Sequence, residues 1–179
     1  IRFRLFEGGK VTINDGDLFT LTTKEVLGNN TIGSISYKNL INDVQIGTSI
    51  LVNDGLIELK VEKVYDTDIV CRVINGGVIS DRKAINVPGV HLSLPFLSDV
   101  DRRDLEFAMK TGFDFFALSF VRCAEDVLEV RRLQKEHNNT SKLIAKIESQ
   151  EGVENLDAII DVADGIMVAR GDMGVEIPF

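Results

Sequence analysis

Cysteine is scarce in the sequence, which contains two cysteines in 179 residues. Cys71 and Cys123 lie far apart, and neither belongs to a Cys-X-X-Cys pair. This spacing argues against a framework of disulfide bonds and against a structural zinc site. We therefore expect both cysteines to be core residues.

Long apolar runs are also absent. The most apolar stretches, residues 113–121 and 159–169, are shorter than the roughly 20 apolar residues that a transmembrane helix needs. The chain begins with Ile1 and Arg2 rather than methionine, and no secretion signal follows. We expect no membrane partner, a cytoplasmic location, and a chain that is processed or is a fragment of a longer protein.

Basic residues are in the minority, with 20 Lys and Arg against 28 Asp and Glu and a formal net charge of -8. Residues 1–85 contain 10 basic and 11 acidic side chains, whereas residues 86–179 contain 10 and 17. Nucleic-acid binding ordinarily uses a broad basic face, so no nucleic-acid partner is expected. Most of the acidic residues are expected at the solvated surface, and a few are candidate metal ligands.

The first 85 residues have the pattern of an all-β module. Short runs of alternating apolar and polar residues are separated by turn sequences such as Asp15-Gly16 and Asp54-Gly55. Strands are predicted over residues 11–13, 18–21, 33–37, 56–61 and 69–73. The spacing of these strands predicts a small β-barrel or meander.

The rest of the chain alternates between helices and strands. Ser98 followed by acidic residues is a typical helix N-cap, and Gly112 is a typical helix C-terminus. Further helices are predicted from Ala124 onward and over residues 153–163. The predicted strands are residues 113–121, 143–147 and 165–169.

Apolar strands that alternate with helices form parallel sheets, either doubly wound or closed into a (β/α)₈ barrel. Three strands do not close a barrel, so the α/β part is predicted to be an interior slice of a larger sheet; in the barrel case, the fold would be an α/β partial TIM (β/α)₈ barrel with an inserted small all-β barrel domain. Residues 1–4 would end a barrel strand, residues 5–83 would form the inserted module, and residues 84–179 would form barrel units. An insertion at the carboxyl ends of barrel strands would cover the active site as a lid.

Charged residues follow the carboxyl ends of two neighbouring predicted strands. Lys146 and Glu148 are two positions apart, so an extended strand directs both side chains to the same side. Gly171 and Asp172 lie in the polar segment after the next strand. Glu148 and Asp172 together would suit Mg²⁺ or Mn²⁺, with water and substrate oxygens completing the coordination. A structural Lys146–Glu148 ion pair is the alternative interpretation.

These segments resemble the active-site sequences of pyruvate kinases. Residues 145–153 and residues 164–178 match that family's signature almost without change. The resemblance continues upstream through residues 51–57, 83–89 and 118–122, and it is weakest between residues 5 and 48. It implies a (β/α)₈ barrel interrupted after its third strand by a mobile β-barrel lid.

The resemblance also implies a reaction, in which phosphoenolpyruvate and ADP give pyruvate and ATP. By this resemblance, Lys146 stabilises the transferring phosphoryl group and the enolate, Glu148 and Asp172 bind Mg²⁺ or Mn²⁺, and the Gly171 and Asp172 backbone holds the substrate carboxylate. Two further residues, Arg2 and Lys83, would contact nucleotide phosphates. A K⁺ ion and a homotetramer are implied for the full-length enzyme, with the K⁺ ligands outside residues 1–179, so these residues alone are expected to be inactive.

Two other functions fit part of the pattern. A metal-dependent pyruvate or enolate aldolase or lyase would also place Glu148 and Asp172 around Mg²⁺, but the predicted lid and Lys146 favour phosphoryl transfer. A non-catalytic protein would use residues 5–83 as a binding module and would not require Lys146 beside Glu148. The sequence Asn53-Asp54-Gly55 departs slightly from the Asp-Asp-Gly that is usual in the family.

Overall fold

The computed structural model describes residues 1–177, so Pro178, the last residue of the predicted signature, lies outside the described residues. The chain divides into two compact units, Ile1–Leu94 and a second unit that begins at Pro95. In the described residues, no helix is both long enough and apolar enough to cross a membrane.

The first unit consists mainly of β-strands. A six-stranded sheet has the order β3-β2-β6-β5-β4-β8, and β1 pairs with β7 in a second, antiparallel sheet. The strands are β1 (Lys10–Ile13), β2 (Leu18–Thr22), β3 (Ile32–Ser34), β4 (Ser49–Val52), β5 (Ile57–Val64), β6 (Asp68–Asn75), β7 (Gly77–Ser80) and β8 (Ile85–Asn86). The unit also contains a 3₁₀ turn (Glu7–Gly9) and one short helix, α1 (Leu40–Asp43), which the sequence pattern did not predict.

The first unit has a hydrophobic core of its own, because apolar residues alternate with polar ones along its strands. In β5, Ile57, Leu59 and Val61 are buried while their neighbours are more exposed. Burial raises the pKa of the Cys71 thiol to about 12, which confirms Cys71 as an unreactive core residue. Cys123, in contrast, is only half-buried, so the expectation for that residue was wrong.

The second unit has a mixed α/β fold built on a parallel sheet. Its three strands are arranged in the order β11-β10-β9, and both pairings are parallel, as predicted. The elements are α2 (Asp99–Thr111), β9 (Phe115–Leu118), α3 (Ala124–Glu136), β10 (Lys142–Ile147), α4 (Gln150–Glu154), α5 (Leu156–Ile160), β11 (Gly165–Val168) and α6 (Arg170–Glu176).

Both predicted ends of α2 are confirmed. The Ser98 side chain accepts a hydrogen bond from the Asp101 amide, and the Asp101 carboxylate accepts one from the Ser98 amide. These contacts satisfy amides that have no acceptor within the helix. At the other end Gly112 adopts the left-handed conformation, with φ 86°, which glycine tolerates better than other residues.

Two local predictions in the second unit were wrong. The helix predicted over residues 153–163 is divided into α4 and α5 at Asn155, and Ala163 lies beyond its end. The Asn155 side-chain Nδ2 donates to the Arg122 carbonyl at 3.0 Å, a tertiary contact that helical periodicity does not reveal. Gly171 and Asp172, which were expected in a polar, glycine-flanked turn after the strand, lie in the first turn of α6.

Candidate functional site

Lys146 and Glu148 lie together at the carboxyl end of β10. Lys146 is the penultimate residue of the strand, and Glu148 follows directly after it. Their side chains project to the same side, and Lys146 Nζ is 2.8 Å from Glu148 Oε1. The Lys146 side chain is 23% exposed, whereas the Glu148 side chain is 1% exposed. A buried carboxylate is thus presented beside a partly accessible ammonium group.

The two oxygens of Glu148 have different surroundings. Oε2 accepts a hydrogen bond from the Phe120 amide at 2.6 Å. Oε1 has no hydrogen-bond donor among the described residues, since Lys146 approaches within ion-pair distance but outside hydrogen-bond geometry. Lys146 Nζ instead donates to Ser119 Oγ at 3.1 Å. Oε1 is therefore a buried oxygen whose only close polar contact among the described residues is the Lys146 ammonium.

Gly171 and Asp172 follow the neighbouring strand β11 and lie at the same edge of the sheet as Lys146 and Glu148. In the parallel pairing of β10 and β11, Ile147 lies opposite Val168, and the Ala169 amide donates to the Ile147 carbonyl at 3.2 Å. Asp172 follows in the first turn of α6 and is exposed. A Cβ added to Gly171 would meet no atom within 4 Å, so the space beside this backbone is open.

The donor set at this edge fits a magnesium or manganese ion. No group of three or more His, Cys, Asp or Glu side chains converges in residues 1–177, so a site built wholly from protein side chains is not indicated. Mg²⁺, however, commonly binds through one or two carboxylates and keeps waters and substrate oxygens as its other ligands. The Glu148 and Asp172 carboxylates, which follow neighbouring parallel strands, are ligands of the type that would hold such an ion.

Arg2 and Lys83 lie on adjacent backbone segments of the first unit. Arg2 forms an isolated antiparallel bridge with Ala84, and the Phe3 amide donates to the Lys83 carbonyl at 2.9 Å. The Arg2 guanidinium donates to the Arg82 carbonyl at 3.0 Å. A groove of about 570 Å³ runs beside these segments and is lined by Arg2, Phe3, Arg4, Leu5, Glu25, Val26, Leu27, Ser36 and Arg82. Three of its lining side chains are arginines, and one of them, Arg4, lies 3.5 Å from the Glu25 carboxylate, which also lines the groove.

Sequence reasoning assigned no role to Ser119 and Phe120, although the structure brings both against the Lys146–Glu148 pair. The two residues directly follow β9, which pairs in parallel with β10. Polar groups after the end of a parallel strand lie near those after the end of its neighbour. This rule could have identified Ser119, but the contribution of the Phe120 backbone has no signal in a side-chain pattern.

Comparison with known proteins gives one family throughout. The family model described as "Pyruvate kinase, barrel domain" matches residues 1–179. The pyruvate kinase of Clostridium perfringens is 53% identical over 180 residues, which cover 99% of this chain and 38% of that protein. The pyruvate kinase of Geobacillus stearothermophilus is 47% identical over 181 residues, which cover 99% of this chain and 31% of that protein.

Solved structures agree with the sequence comparison. The crystal structure of a pyruvate kinase from Cryptosporidium parvum superimposes with a TM-score of 0.88 at 42% identity, covering 99% of this chain and 38% of the other. The chain thus spans about a third of the length of the relatives it matches. The match extends over both compact units, including the Lys146–Glu148 pair and the β11–α6 segment, and the chain belongs to the pyruvate kinase family.

Proposed function

We propose that the full-length protein is a glycolytic phosphotransferase that moves the phosphoryl group of phosphoenolpyruvate to ADP and releases pyruvate and ATP. The observation that carries this proposal is the buried Glu148 carboxylate beside the Lys146 ammonium at a strand end, within a chain that matches pyruvate kinases along its length. A metal-dependent aldolase or lyase would share the carboxylates but would not account for this family match.

Lys146 is the proposed catalytic residue. Its ammonium lies 2.8 Å from Glu148 Oε1 and 3.1 Å from Ser119 Oγ, so it is held at the carboxyl edge of the sheet. Phosphoryl transfer accumulates negative charge on the transferring group and on the departing enolate oxygen. A cation fixed at that point stabilises this charge without having to reorganise during the reaction.

Glu148 and Asp172 are the proposed ligands of Mg²⁺ or Mn²⁺, which would act as a Lewis acid on phosphate and enolate oxygens. Glu148 Oε1, which accepts no hydrogen bond among the described residues, and the exposed Asp172 carboxylate support this assignment. The backbone amides of Gly171 and Asp172, in the first turn of α6, are proposed to bind the substrate carboxylate. Helix N-termini favour anions because the first amides lack acceptors within the helix.

Arg2 and Lys83 are proposed to contact the phosphates of the nucleotide. Their backbone segments are adjacent in the first unit, and the nearby groove contains three arginine side chains. Arginine binds phosphate through a planar set of donors and remains charged at all physiological pH values.

Family membership also supports a proposal for the organisation of the whole protein. Residues 1–4 would end a barrel strand, residues 5–83 would be the inserted β-barrel lid, and residues 84–179 would be βα units of the barrel. K⁺ is proposed as a second cofactor, held by ligands outside residues 1–179. We further propose a homotetramer that works in the cytoplasm.

Replacement of Lys146 tests the proposed function. In the full-length protein, Lys146→Met retains the length of the aliphatic stem but removes the charge, so kcat for phosphoenolpyruvate and ADP should fall at least about 100-fold, with nucleotide affinity little changed. Lys142→Met is a matched control at the opposite end of β10, and it should leave turnover unchanged. Normal turnover in Lys146→Met would remove Lys146 from the mechanism.

Replacement of the carboxylates tests the metal site. Glu148→Gln and Asp172→Asn should each raise the Mn²⁺ dissociation constant, because an amide oxygen is a neutral and weaker ligand for a hard cation. Water-proton relaxation measures this constant directly, and the exposed Asp161→Asn variant is the control. If only one variant weakens binding, the other carboxylate is not a ligand.

A further inference from the structure

The turn that follows β9 contacts both charged residues of the site. The Phe120 amide donates to Glu148 Oε2 at 2.6 Å, and Ser119 Oγ accepts from Lys146 Nζ at 3.1 Å. A carboxylate held at one oxygen has a defined orientation, and its second oxygen remains available. In Glu148 that second oxygen is Oε1, which accepts no hydrogen bond among the described residues and lies 2.8 Å from Lys146 Nζ, its ion-pair partner.

Phe120 adopts an uncommon backbone conformation at this point. Its φ is 52°, in the left-handed region that bulky residues rarely occupy because the Cβ approaches the backbone closely. Phe120 is 40% exposed in the described residues, so burial of its ring does not explain this conformation. Such strain occurs mainly at functional sites, where the surrounding structure imposes it.

The turn at residues 119–121 is contacted by β10 on one side and by α4 on the other. Toward β10, the Val121 amide donates to the Lys146 carbonyl at 3.3 Å. Toward α4, a Cβ on Gly152 would lie 2.7 Å from the Val121 carbonyl oxygen, so only glycine allows this close approach. These contacts keep the Phe120 amide directed at the carboxylate although the local backbone is strained.

Ser119 supplies Lys146 with an acceptor that does not depend on Glu148. If a cation takes Glu148 Oε1, that oxygen becomes a weaker partner for the Lys146 ammonium. Ser119 Oγ would remain in place, and the flexible four-carbon stem of Lys146 would retain one fixed contact. The Phe120 amide therefore holds the Glu148 carboxylate, and the Ser119 hydroxyl holds the Lys146 ammonium.

We propose that Ser119 and Phe120 are positioning residues of the site: the left-handed Phe120 amide orients Glu148 so that Oε1 is available to a divalent cation, and the Ser119 hydroxyl orients the Lys146 ammonium. This inference rests on the proposed function for the role of Lys146. The orientation of Glu148 concerns metal binding alone and is tested without turnover.

A series of substitutions at Phe120 tests the backbone conformation. In the full-length protein without substrate, Mn²⁺ affinity is measured by water-proton relaxation. Phe120→Gly and Phe120→Asn, which accept the left-handed conformation, should stay within about twofold of the parent protein. Phe120→Ala, which has the same unbranched Cβ as the parent residue, should also stay near the parent value, whereas Phe120→Val should lose about tenfold because β-branched residues are disfavoured at positive φ. If affinity follows the size of the side chain instead, or is equal in all four variants, the proposal is overturned.

Ser119 is tested by a different pair of variants. Ser119→Ala should lower kcat about tenfold while Mn²⁺ affinity is unchanged, and Ser119→Thr, which keeps a hydroxyl, should recover kcat to within about twofold. Equal losses in both variants, or a loss of Mn²⁺ affinity in Ser119→Ala, would contradict the assignment. If the parent protein transfers no phosphoryl group from phosphoenolpyruvate to ADP, the proposed function fails, whereas the Phe120 series still decides the positioning of Glu148.

Discussion

The two compact units bury their apolar residues in different ways. In the described residues, the core of the first unit contains 20 buried hydrophobic residues, whereas the core of the second contains 11. In the second unit, Phe115 is 64% exposed and Met167 is 45% exposed, although both lie on strands. The helices cover one face of that sheet, where Phe116 and Ala145 are buried, and leave apolar residues on the other.

This difference teaches that the first unit encloses the larger core, while the parallel sheet of the second unit leaves its Phe115 face exposed in the described residues. Sheets in α/β folds are covered on both faces, and an uncovered apolar face is unstable in water. The relatives that match this chain are about three times as long. The site residues Lys146 and Glu148 lie in this second unit.

The largest effect is expected when residues 1–179 are produced alone. Limited proteolysis should then leave a resistant fragment that ends between residues 83 and 95, because the first unit has its own core. The second unit should be digested or aggregate, since both outer strands of its sheet, β9 and β11, have unpaired edges in the described residues. Mass spectrometry of the fragments measures this outcome, and equal protection of both units would contradict the comparison.

Truncation of one phenylalanine in each unit should have unequal effects. Phe19 is fully buried and packs edge-on against Phe3 at 6.1 Å, so Phe19→Ala should destabilise the first unit by about 3–5 kcal/mol. Phe115→Ala should change the stability of residues 1–179 by less than about 0.5 kcal/mol, because Phe115 is exposed there.

Urea unfolding followed by circular dichroism measures both variants. Phe115→Ala should also be measured in the full-length protein. If a further segment covers the Phe115 face there, the substitution should lower the free energy of unfolding. An equally small effect in the full-length protein would show that the Phe115 face stays exposed.

A smaller effect is expected from Asp164, at the start of β11. Hydrogen bonds from the Leu143 amide, then from Arg131 and Lys142, lower the pKa of Asp164 to about 2, against the opposing effect of burial. Because this pKa is depressed in the folded state, the stabilisation is present above about pH 4 and is lost as the pH falls toward 2. Asp164→Asn should therefore cost roughly 1–2 kcal/mol at pH 7, and this cost should shrink below pH 4.

Thermal unfolding of the full-length protein between pH 7 and pH 3 tests this expectation. Asp104→Asn, which replaces an exposed carboxylate on α2, is the matched control and should have little effect at any pH. A cost for Asp164→Asn that grows on acidification would contradict the assigned cause of the low pKa.

Much of the local structure could be predicted from residue patterns. The β-strand pattern of the first unit, the ends of α2 at Ser98 and Gly112, and the parallel strands of the second unit follow from short-range rules. The pairing of Lys146 with Glu148 follows from the two-residue period of a strand. The resemblance to pyruvate kinases, stated from the signature segments, is confirmed by the comparisons.

Other features depended on contacts between residues distant in sequence. Helical periodicity continues through Asn155, but the hydrogen bond of its side chain to the Arg122 carbonyl accompanies a break between α4 and α5. The left-handed Phe120 has no signal in its residue type, because phenylalanine does not favour positive φ.

The sequence by itself determined the strand and helix pattern, the family, and the residue types that meet at the end of β10. Only the tertiary structure decided that Glu148 Oε2 accepts a hydrogen bond and that Oε1 accepts none among the described residues. This difference depends on the direction of the Phe120 amide in the turn that follows β9. Side-chain patterns encode periodicity and burial, whereas the direction of an amide is set by the packing of β10 and α4 around residues 119–121.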